Sequence, residues 1–204
     1  MATGTQSPSR TRQQPRLMTF DEFMQAYAQR PFEIVDGKVV EMSPPDLRHV
    51  RIARGLFRSL DALVRERDLG EVWPDNTPFL LDASKRRDWV KGSRVPDVSF
   101  VSRERMAAFL AEFDENNPLR LAPDLAIEII SPHDRYTDVH KKVLDYLRYG
   151  VRLLILIDPD LRTVRVITPD DPDGRTLHDG DTLSGDPVLP GWSMPVTRVL
   201  DGEG

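Results

Sequence analysis

The chain has 204 residues, a length that predicts one domain with a sizeable buried core. Its 28 Lys and Arg residues against 33 Asp and Glu residues give a net charge of −5, which excludes nucleic-acid binding by bulk positive charge but not by a local basic patch. The absence of cysteine excludes a disulfide scaffold, thiol catalysis and cysteine-ligated metal sites.

The hydropathy pattern predicts neither a membrane span nor a secretory signal. No stretch approaches the roughly 20 apolar residues that cross a bilayer, and the first residues lack an apolar signal core. Residues 1–16 are polar and carry no apolar period, so we expect a disordered tail there. We therefore predict a single domain over residues 17–200 in a cytoplasmic protein that makes no membrane contact.

Short local signals predict the first elements of this domain. A hydroxyl at Thr19 followed by acidic residues is typical of a helix start, and the helix should end near Pro31. Asp36-Gly37 lies between apolar, β-branched runs, which is the pattern of a β-hairpin over residues 32–41.

A long helix is predicted from about Leu47 to Arg67. Its apolar residues recur at helical spacing on one face, with His49 on the same side. This histidine is either a core group with a satisfied hydrogen bond or a partner that orients a carboxylate. The opposite face carries an arginine row, which is either solvated or a stripe that contacts phosphates: Arg51, Arg54, Arg58 and Arg65. Of these, Arg51, Arg54 and Arg58 are the predicted nucleic-acid contacts.

The rest of the chain alternates between predicted strands and helices. Residues 85–94 are predicted to form a basic loop, and its Lys85, Arg86 and Arg87 either contact phosphates or belong to a solvated turn. Residues 168–187 are rich in Asp, Gly and Pro and are predicted to be surface loop. The predicted strands are 77–81, 95–101, 125–130, 153–157 and 163–167, and the predicted helices are 102–117 and 137–149. This alternation favours an α/β fold with a mixed sheet.

Two acids lie inside apolar strand segments. Glu128 interrupts the run from Leu125 to Ile130, and Asp97 lies within the segment from Val95 to Phe100. A buried carboxylate must be paired, protonated or bound to a metal, because ionised groups are costly to bury alone. If the two strands are neighbours, a divalent cation would relieve the repulsion between the acids; alternatively, each acid pairs with its own arginine.

A lysine and a third acid are candidates to join these carboxylates. Lys142 lies at the margin of the apolar face of the helix over 137–149, where a long side chain can extend inward, whereas Lys141 projects into solvent. Lys142 is either this inward-directed cation or an ordinary boundary lysine. Glu33, in the hairpin, either completes an acidic cluster or pairs with a basic neighbour.

Several short motifs occur in a fixed order over roughly residues 17–200, and none is specific by itself. They are Glu33-Ile34-Val35-Asp36-Gly37, Ser43-Pro44-Pro45 with His49, Pro96-Asp97-Val98, Ala126-Ile127-Glu128-Ile129-Ile130-Ser131-Pro132, Asp134-Arg135, Lys142 with Tyr146 and Gly150-Val151, and Leu189-Pro190-Gly191-Trp192-Ser193-Met194-Pro195. Their order and spacing together resemble the Uma-two family of putative restriction endonucleases, within the PD-(D/E)xK nuclease superfamily.

The resemblance implies a restriction-endonuclease-like core, a mixed central β-sheet flanked by α-helices. It also implies Mg²⁺ or Mn²⁺ held by Asp97, Glu128 and the backbone carbonyl of Ile129. Ile130 occupies the position where the superfamily usually has its lysine. The family is similar in placing that lysine on the next helix, which corresponds to Lys142.

Two functions follow as hypotheses from these residues and the resemblance. The first is a metal-dependent endonuclease that hydrolyses DNA, in which Lys142 assists the attacking water or the transition state and Glu33 supplies a further carboxylate. The second is a catalytically weak or inactive nuclease-fold protein that binds nucleic acid or another protein. A homodimer would suit the cutting of both strands of a duplex.

Overall fold

The computed structural model of the protein describes residues 17–83, 89–132 and 134–204. The predicted tail at 1–16 and the predicted contacts Lys85, Arg86 and Arg87 therefore lie outside the described residues. The helices of the described chain are α1 Phe20–Gln29, α2 Leu47–Arg67, α3 Arg103–Glu112, α4 Tyr136–Arg148 and α5 Val196–Asp201. Its strands are β1 Met18–Thr19, β2 Phe32–Val35, β3 Lys38–Glu41, β4 Gly70–Pro74, β5 Phe79–Ala83, β6 Trp89–Arg94, β7 Val98–Ser102, β8 Leu125–Ile129, β9 Leu153–Asp158, β10 Thr163–Thr168, β11 Asp171–Leu177, β12 Thr182–Ser184 and β13 Ser193–Pro195.

A six-stranded mixed sheet forms the centre of the protein. Its strand order is β11-β10-β9-β8-β7-β4, and β8 and β9 are parallel while the other neighbours are antiparallel. Helix α2 packs on one face through residues such as Leu56 and Leu60, and α4 packs on the other through Val143 and Tyr146. The predicted α/β architecture, a mixed sheet flanked by helices, is confirmed.

A second sheet carries the predicted hairpin and adjoins the central one. Its strand order is β1-β6-β2-β3, and β5 also pairs with β6. Asp36 and Gly37 turn the chain between β2 and β3 with φ angles of 51° and 72°, the left-handed conformation that this short turn requires. The hairpin therefore lies where the sequence predicts it.

The prediction of a loop over residues 85–94 is wrong for residues 89–94, which form β6. Val90 is buried in an apolar cluster with Phe32 and Leu80. Arg94 is buried although it is charged, because it pairs with the buried Glu33 and the partly buried Asp145. The basic composition concealed this strand, since a paired arginine can occupy a core position that the hydropathy pattern assigns to solvent.

Residues 168–187 also differ from the predicted surface loop, because they contain β11 and β12. Leu177 and Leu183 are buried and anchor these strands, while most other residues of β11 remain exposed at the edge of the central sheet. An edge strand tolerates polar residues, so its composition resembles that of a loop.

Helix α3 ends at Glu112, five residues before the predicted end.

Within the described ranges, no helix combines the length and the apolar composition needed to cross a membrane.

Asp124 is a buried carboxylate that ties the start of β8 to its surroundings. It is 1 % exposed and accepts hydrogen bonds from the Ser102 N–H at 2.8 Å, Arg105 Nη1 at 3.1 Å and Arg152 Nε at 3.0 Å. Burial alone would raise its pKa, but these donors hold the pKa below its ordinary value. The ionised form therefore stabilises the folded state.

We expect Asp124→Asn to lower the free energy of unfolding at neutral pH by about 1–3 kcal/mol, since it removes the charge-assisted hydrogen bonds that a buried carboxylate accepts. The contribution of Asp124 is present above the ordinary pKa of an aspartate and is lost as pH falls through its lower folded pKa. Melting temperatures of both proteins between pH 7 and pH 3 should therefore converge at the acidic end. A constant difference across this range would contradict the assignment.

Candidate active site

Asp97 and Glu128 lie side by side at one end of the central sheet. Strands β7 and β8 are antiparallel with Val98 opposite Ile127, so the residue before Val98 stands beside the residue after Ile127. The Asp97 N–H donates to the Ile127 carbonyl at 3.0 Å, and Asp97 Oδ2 accepts from the Ile129 N–H at 2.7 Å. The backbone thus fixes the two carboxylates as neighbours, as the sequence predicts for adjacent strands.

Both oxygens of Glu128 are held by α4. Lys142 Nζ lies 2.9 Å from Glu128 Oε2, and the Tyr146 hydroxyl donates to Glu128 Oε1 at 2.6 Å. Lys142 and Tyr146 are four residues apart and therefore share one face of the helix. The inward approach predicted for Lys142 is present, whereas Lys141 is exposed and its ammonium lies 4.0 Å from Asp36 Oδ2.

Glu33 pairs with cations and does not contact the other two acids directly. Its Oε2 accepts from Arg94 Nη1 at 2.7 Å, and its Oε1 accepts from the Val95 N–H at 3.1 Å and lies 3.5 Å from Lys142 Nζ. The Arg94 guanidinium also pairs with Asp145 on α4. Arg94 is 3 % exposed. Its two ion pairs link the second sheet to the helix that carries Lys142.

Positive and negative side chains alternate through this network until it reaches Asp97 and Glu128, called here the acid pair. In space, Asp145 pairs with Arg94, Arg94 with Glu33, and Glu33 with Lys142. Lys142 in turn pairs with Glu128. Asp97 then stands next to Glu128, and among the described residues of the network this is the place where two carboxylates adjoin with no cation between them. The network therefore places Asp97, which has no lysine or arginine partner among the described residues, beside a Glu128 that Lys142 already pairs with.

His49 lies on the other side of the acid pair. The Asp46 side chain accepts the His49 backbone N–H at 2.8 Å and caps α2, which places the imidazole so that Nε2 is 2.8 Å from Asp97 Oδ1. Burial alone would lower the pKa of His49, but the hydrogen bond to Asp97 and its charge raise it. The structure thus places His49 as a partner that can orient the Asp97 carboxylate.

The acid pair shifts the protonation of the groups around it. Burial, together with the charges of Asp97 and Glu33, raises the pKa of Glu128 to about 7 against the opposing effect of Lys142. Burial alone would lower the pKa of Lys142, but Glu128 and Glu33 raise it above its ordinary value. Lys142 is therefore a stable cation. A further positive charge nearby would favour the ionised form of Glu128.

These groups line an open cleft of about 400 Å³. Seven carboxylates line it against five lysine or arginine side chains, so the lining carries an excess of acid that a bound cation would reduce. The carboxylates are Glu33, Asp36, Glu41, Asp97, Glu128, Asp134 and Asp138, and the cations are Lys38, Arg94, Arg135, Lys141 and Lys142.

The predicted nucleic-acid contacts on α2 lie outside this cleft. Arg51, Arg54 and Arg58 are exposed, and α2 contributes only His49 to the cleft among the described residues. At about 100° per residue, the three arginines face away from the side that carries His49. The structure therefore keeps them together on one surface but does not bring them to the acid pair.

Comparison with known proteins identifies the family. Residues 20–197 match the family model Uma2, whose description is "Putative restriction endonuclease". The chain belongs to the Uma2 family. A solved structure described as a putative nuclease of DUF820 from Anabaena variabilis has the same fold, with a TM-score of 0.73 and 22% identity over 91% of this chain and 98% of that one. No protein of the curated set matches the chain.

The donor set in this Uma2 protein fits a hard divalent cation. Carboxylate oxygens and backbone carbonyls are the ligands that Mg²⁺ and Mn²⁺ prefer, and Asp97, Glu128 and Ile129 all line the cleft. Each carboxylate oxygen of the pair accepts one hydrogen bond and keeps further lone-pair capacity. Within the described ranges, no three His, Cys, Asp or Glu side chains are grouped to hold a metal, so a backbone oxygen or water would have to complete the coordination.

Sequence reasoning missed three residues of the network. Arg94 falls in the predicted basic loop, no sequence pattern marks Asp145, and Tyr146 is marked only as part of a family motif with no role of its own. Tyr146 could have been recognised because it follows Lys142 by one helical turn and so faces the same carboxylate. No sequence signal pairs Arg94 with Asp145, since their contact depends on how β6 packs against α4.

Proposed function

We propose that this Uma2 protein is a metal-dependent endonuclease that hydrolyses DNA phosphodiester bonds. The observation that carries the proposal is the adjacent pair Asp97 and Glu128 at the end of two strands in an open cleft, with Lys142 against Glu128. The family and the nuclease-like fold support the same class of reaction.

Asp97, Glu128 and the Ile129 carbonyl would hold Mg²⁺ or Mn²⁺. When bound, the metal supplies a water of lowered pKa and neutralises charge on the phosphate. Lys142 keeps its proton and can orient the attacking water or stabilise the transition state. Glu33, expected from the sequence as a further carboxylate of the site, lies 3.5 Å from the Lys142 ammonium and so pairs with it together with Glu128.

Two groups would support this chemistry without touching the reacting atoms. His49 fixes the orientation of Asp97 through the bond from Nε2 to Oδ1. Arg51, Arg54 and Arg58 would contact phosphates at some distance from the cleft, because a duplex carries charge well beyond the bond that is cut.

Cleavage of supercoiled plasmid with Mg²⁺ or Mn²⁺ tests the proposal. We expect nicked and linear products from the wild-type protein and none from Asp97→Ala or Glu128→Ala. Cleavage that persists in both variants would come from a contaminating nuclease and would leave the proposal without support.

One observation favours the alternative of a binding module without catalysis. The Lys142 ammonium already compensates Glu128, so the folded protein does not depend on a metal at this carboxylate. Thermal denaturation with millimolar Mn²⁺ separates the two functions, because a ligand that binds only the folded state raises the melting temperature. An unchanged melting temperature would favour the binding module.

Tyr146→Phe is expected to weaken Mn²⁺ binding by about tenfold, because it removes the hydroxyl that orients Glu128 and keeps the ring in the core. Isothermal titration with Mn²⁺ measures the effect. The matched control is Tyr149→Phe, whose hydroxyl donates to Asp82 at 3.3 Å and does not contact the acid pair. Equal affinities in the two variants would show that Tyr146 does not position the ligand.

A homodimer also remains a prediction. Light scattering on the purified protein measures its mass directly, with an expected value near twice the 23.3 kDa of the chain.

A further inference from the structure

The acid pair needs substrate contacts nearer than those offered by α2. A scissile phosphate must come within a few ångströms of Asp97 and Glu128, and the adjacent phosphates of the same strand then lie around the mouth of the cleft. Arg51, Arg54 and Arg58 face away from this mouth, and the cations deeper in the cleft, Arg94 and Lys142, are already engaged by carboxylates.

Three other cations line the same cleft and are exposed: Lys38, Arg135 and Lys141, called here the mouth cations. Among the described residues, Lys38 and Arg135 have no ion-pair partner, and Lys141 has only Asp36 at 4.0 Å. Free, solvated ammonium and guanidinium groups can contact phosphate without first breaking an internal ion pair.

The mouth cations come from two separate elements. Lys38 begins β3 in the hairpin, whereas Arg135 precedes α4 and Lys141 lies within it. The same hairpin carries Glu33 on its other strand, β2, and α4 carries Lys142. A strand that enters the cleft can therefore be contacted from the hairpin and from α4 while its phosphodiester reaches the acid pair.

The charge of the cleft makes such contacts necessary. Carboxylates outnumber lysine and arginine in its lining, and Asp36, Asp134 and Asp138 lie among the exposed residues. Without nearby cations a polyanion would be repelled from this opening. We propose that Lys38, Arg135 and Lys141 bind the substrate phosphates that flank the scissile bond. This inference rests on the proposed nuclease function.

The test compares two triple variants that remove equal charge. One changes the mouth cations, Lys38→Gln/Arg135→Gln/Lys141→Gln, and the other changes the α2 row, Arg51→Gln/Arg54→Gln/Arg58→Gln. Fluorescence anisotropy with a labelled duplex of about 30 base pairs, in Ca²⁺ over a series of salt concentrations, gives the dissociation constant and its salt dependence. Each phosphate contact contributes about 0.9 to the slope of log affinity against log salt.

We expect the mouth variant to reduce this slope by about two to three and to lower kcat/KM for plasmid cleavage at least tenfold. Arg135→Gln is also compared with Arg175→Gln, an exposed arginine on β11 that does not line the cleft and should leave the slope unchanged. All the substituted side chains are exposed, so melting temperatures should stay within about 2 °C of wild type.

The outcomes separate this inference from the proposed function. If wild type binds and cuts DNA but the mouth variant keeps the full salt slope and full cleavage, the inference is overturned and the nuclease function stands. If wild type neither binds the duplex nor cuts the plasmid with any metal, the proposed function fails and the inference fails with it.

Discussion

Asp97→Asn and Glu128→Gln are each expected to reduce the rate of DNA cleavage by at least about a thousandfold. Each substitution keeps the shape of the side chain and removes one negative charge from the pair that would hold the metal. A loss of about 4 kcal/mol of transition-state stabilisation is typical of removing metal assistance and corresponds to this factor. Single-turnover cleavage of plasmid at saturating Mn²⁺ measures it.

The matched control is Glu115→Gln, which makes the same chemical change at an exposed position between α3 and β8. It should cut at the wild-type rate. The two site variants should also lose the rise in melting temperature that Mn²⁺ gives the wild type, because the ligand no longer binds the folded state tightly. Wild-type cleavage by either site variant would rule out the acid pair as the metal centre.

The acid pair could be predicted because its two residues break a strong local pattern. A carboxylate inside an apolar strand demands a partner, and Asp97 and Glu128 each meet this condition in a segment that is otherwise typical of a buried strand. Their proximity follows once β7 and β8 are neighbours, as a mixed sheet makes plausible. Helix periodicity places Lys142 at the margin of the apolar face but leaves open whether its ammonium extends inward, and the contact with Glu128 decides this only in the structure.

The ionic network around the pair could not be predicted in the same way. Arg94 lies in a basic segment, and a local view assigns such a residue to solvent. Its burial depends on Glu33 from β2 and Asp145 from α4, which approach from distant parts of the chain. The same limit explains why the basic segment concealed β6 and why polar residues concealed β11.

The direction of the α2 arginines was visible in the sequence, but their relation to the cleft was not. A helical wheel shows that Arg51, Arg54 and Arg58 oppose the core face, and the structure agrees. Only the packing of α2 reveals that its N-terminal turn, with His49, meets the acid pair. The hairpin and α4 complete the cleft. Local sequence patterns do not show that these two elements are close in space.

Arg94→Met is expected to lower the free energy of unfolding by about 3–5 kcal/mol. The arginine is 3 % exposed and pairs with both Glu33 and Asp145, so its removal leaves two carboxylates without their main partner. Burial then opposes ionisation of Glu33, which only Lys142 and the hydrogen bond from the Val95 N–H still compensate. For a chain of this size the melting temperature should fall by roughly 6–20 °C in differential scanning calorimetry.

Arg103→Met serves as the control, because Arg103 pairs with Asp68 at the surface and an exposed ion pair contributes about 0–1 kcal/mol. The double variant Glu33→Gln/Arg94→Met should recover part of the loss, since it removes the charge that was left unpaired. Replacing a whole buried pair is often close to neutral, whereas breaking it is not. If Arg94→Met costs no more than Arg103→Met, the buried network does not stabilise the fold, and the position of Lys142 must depend on α4 packing alone.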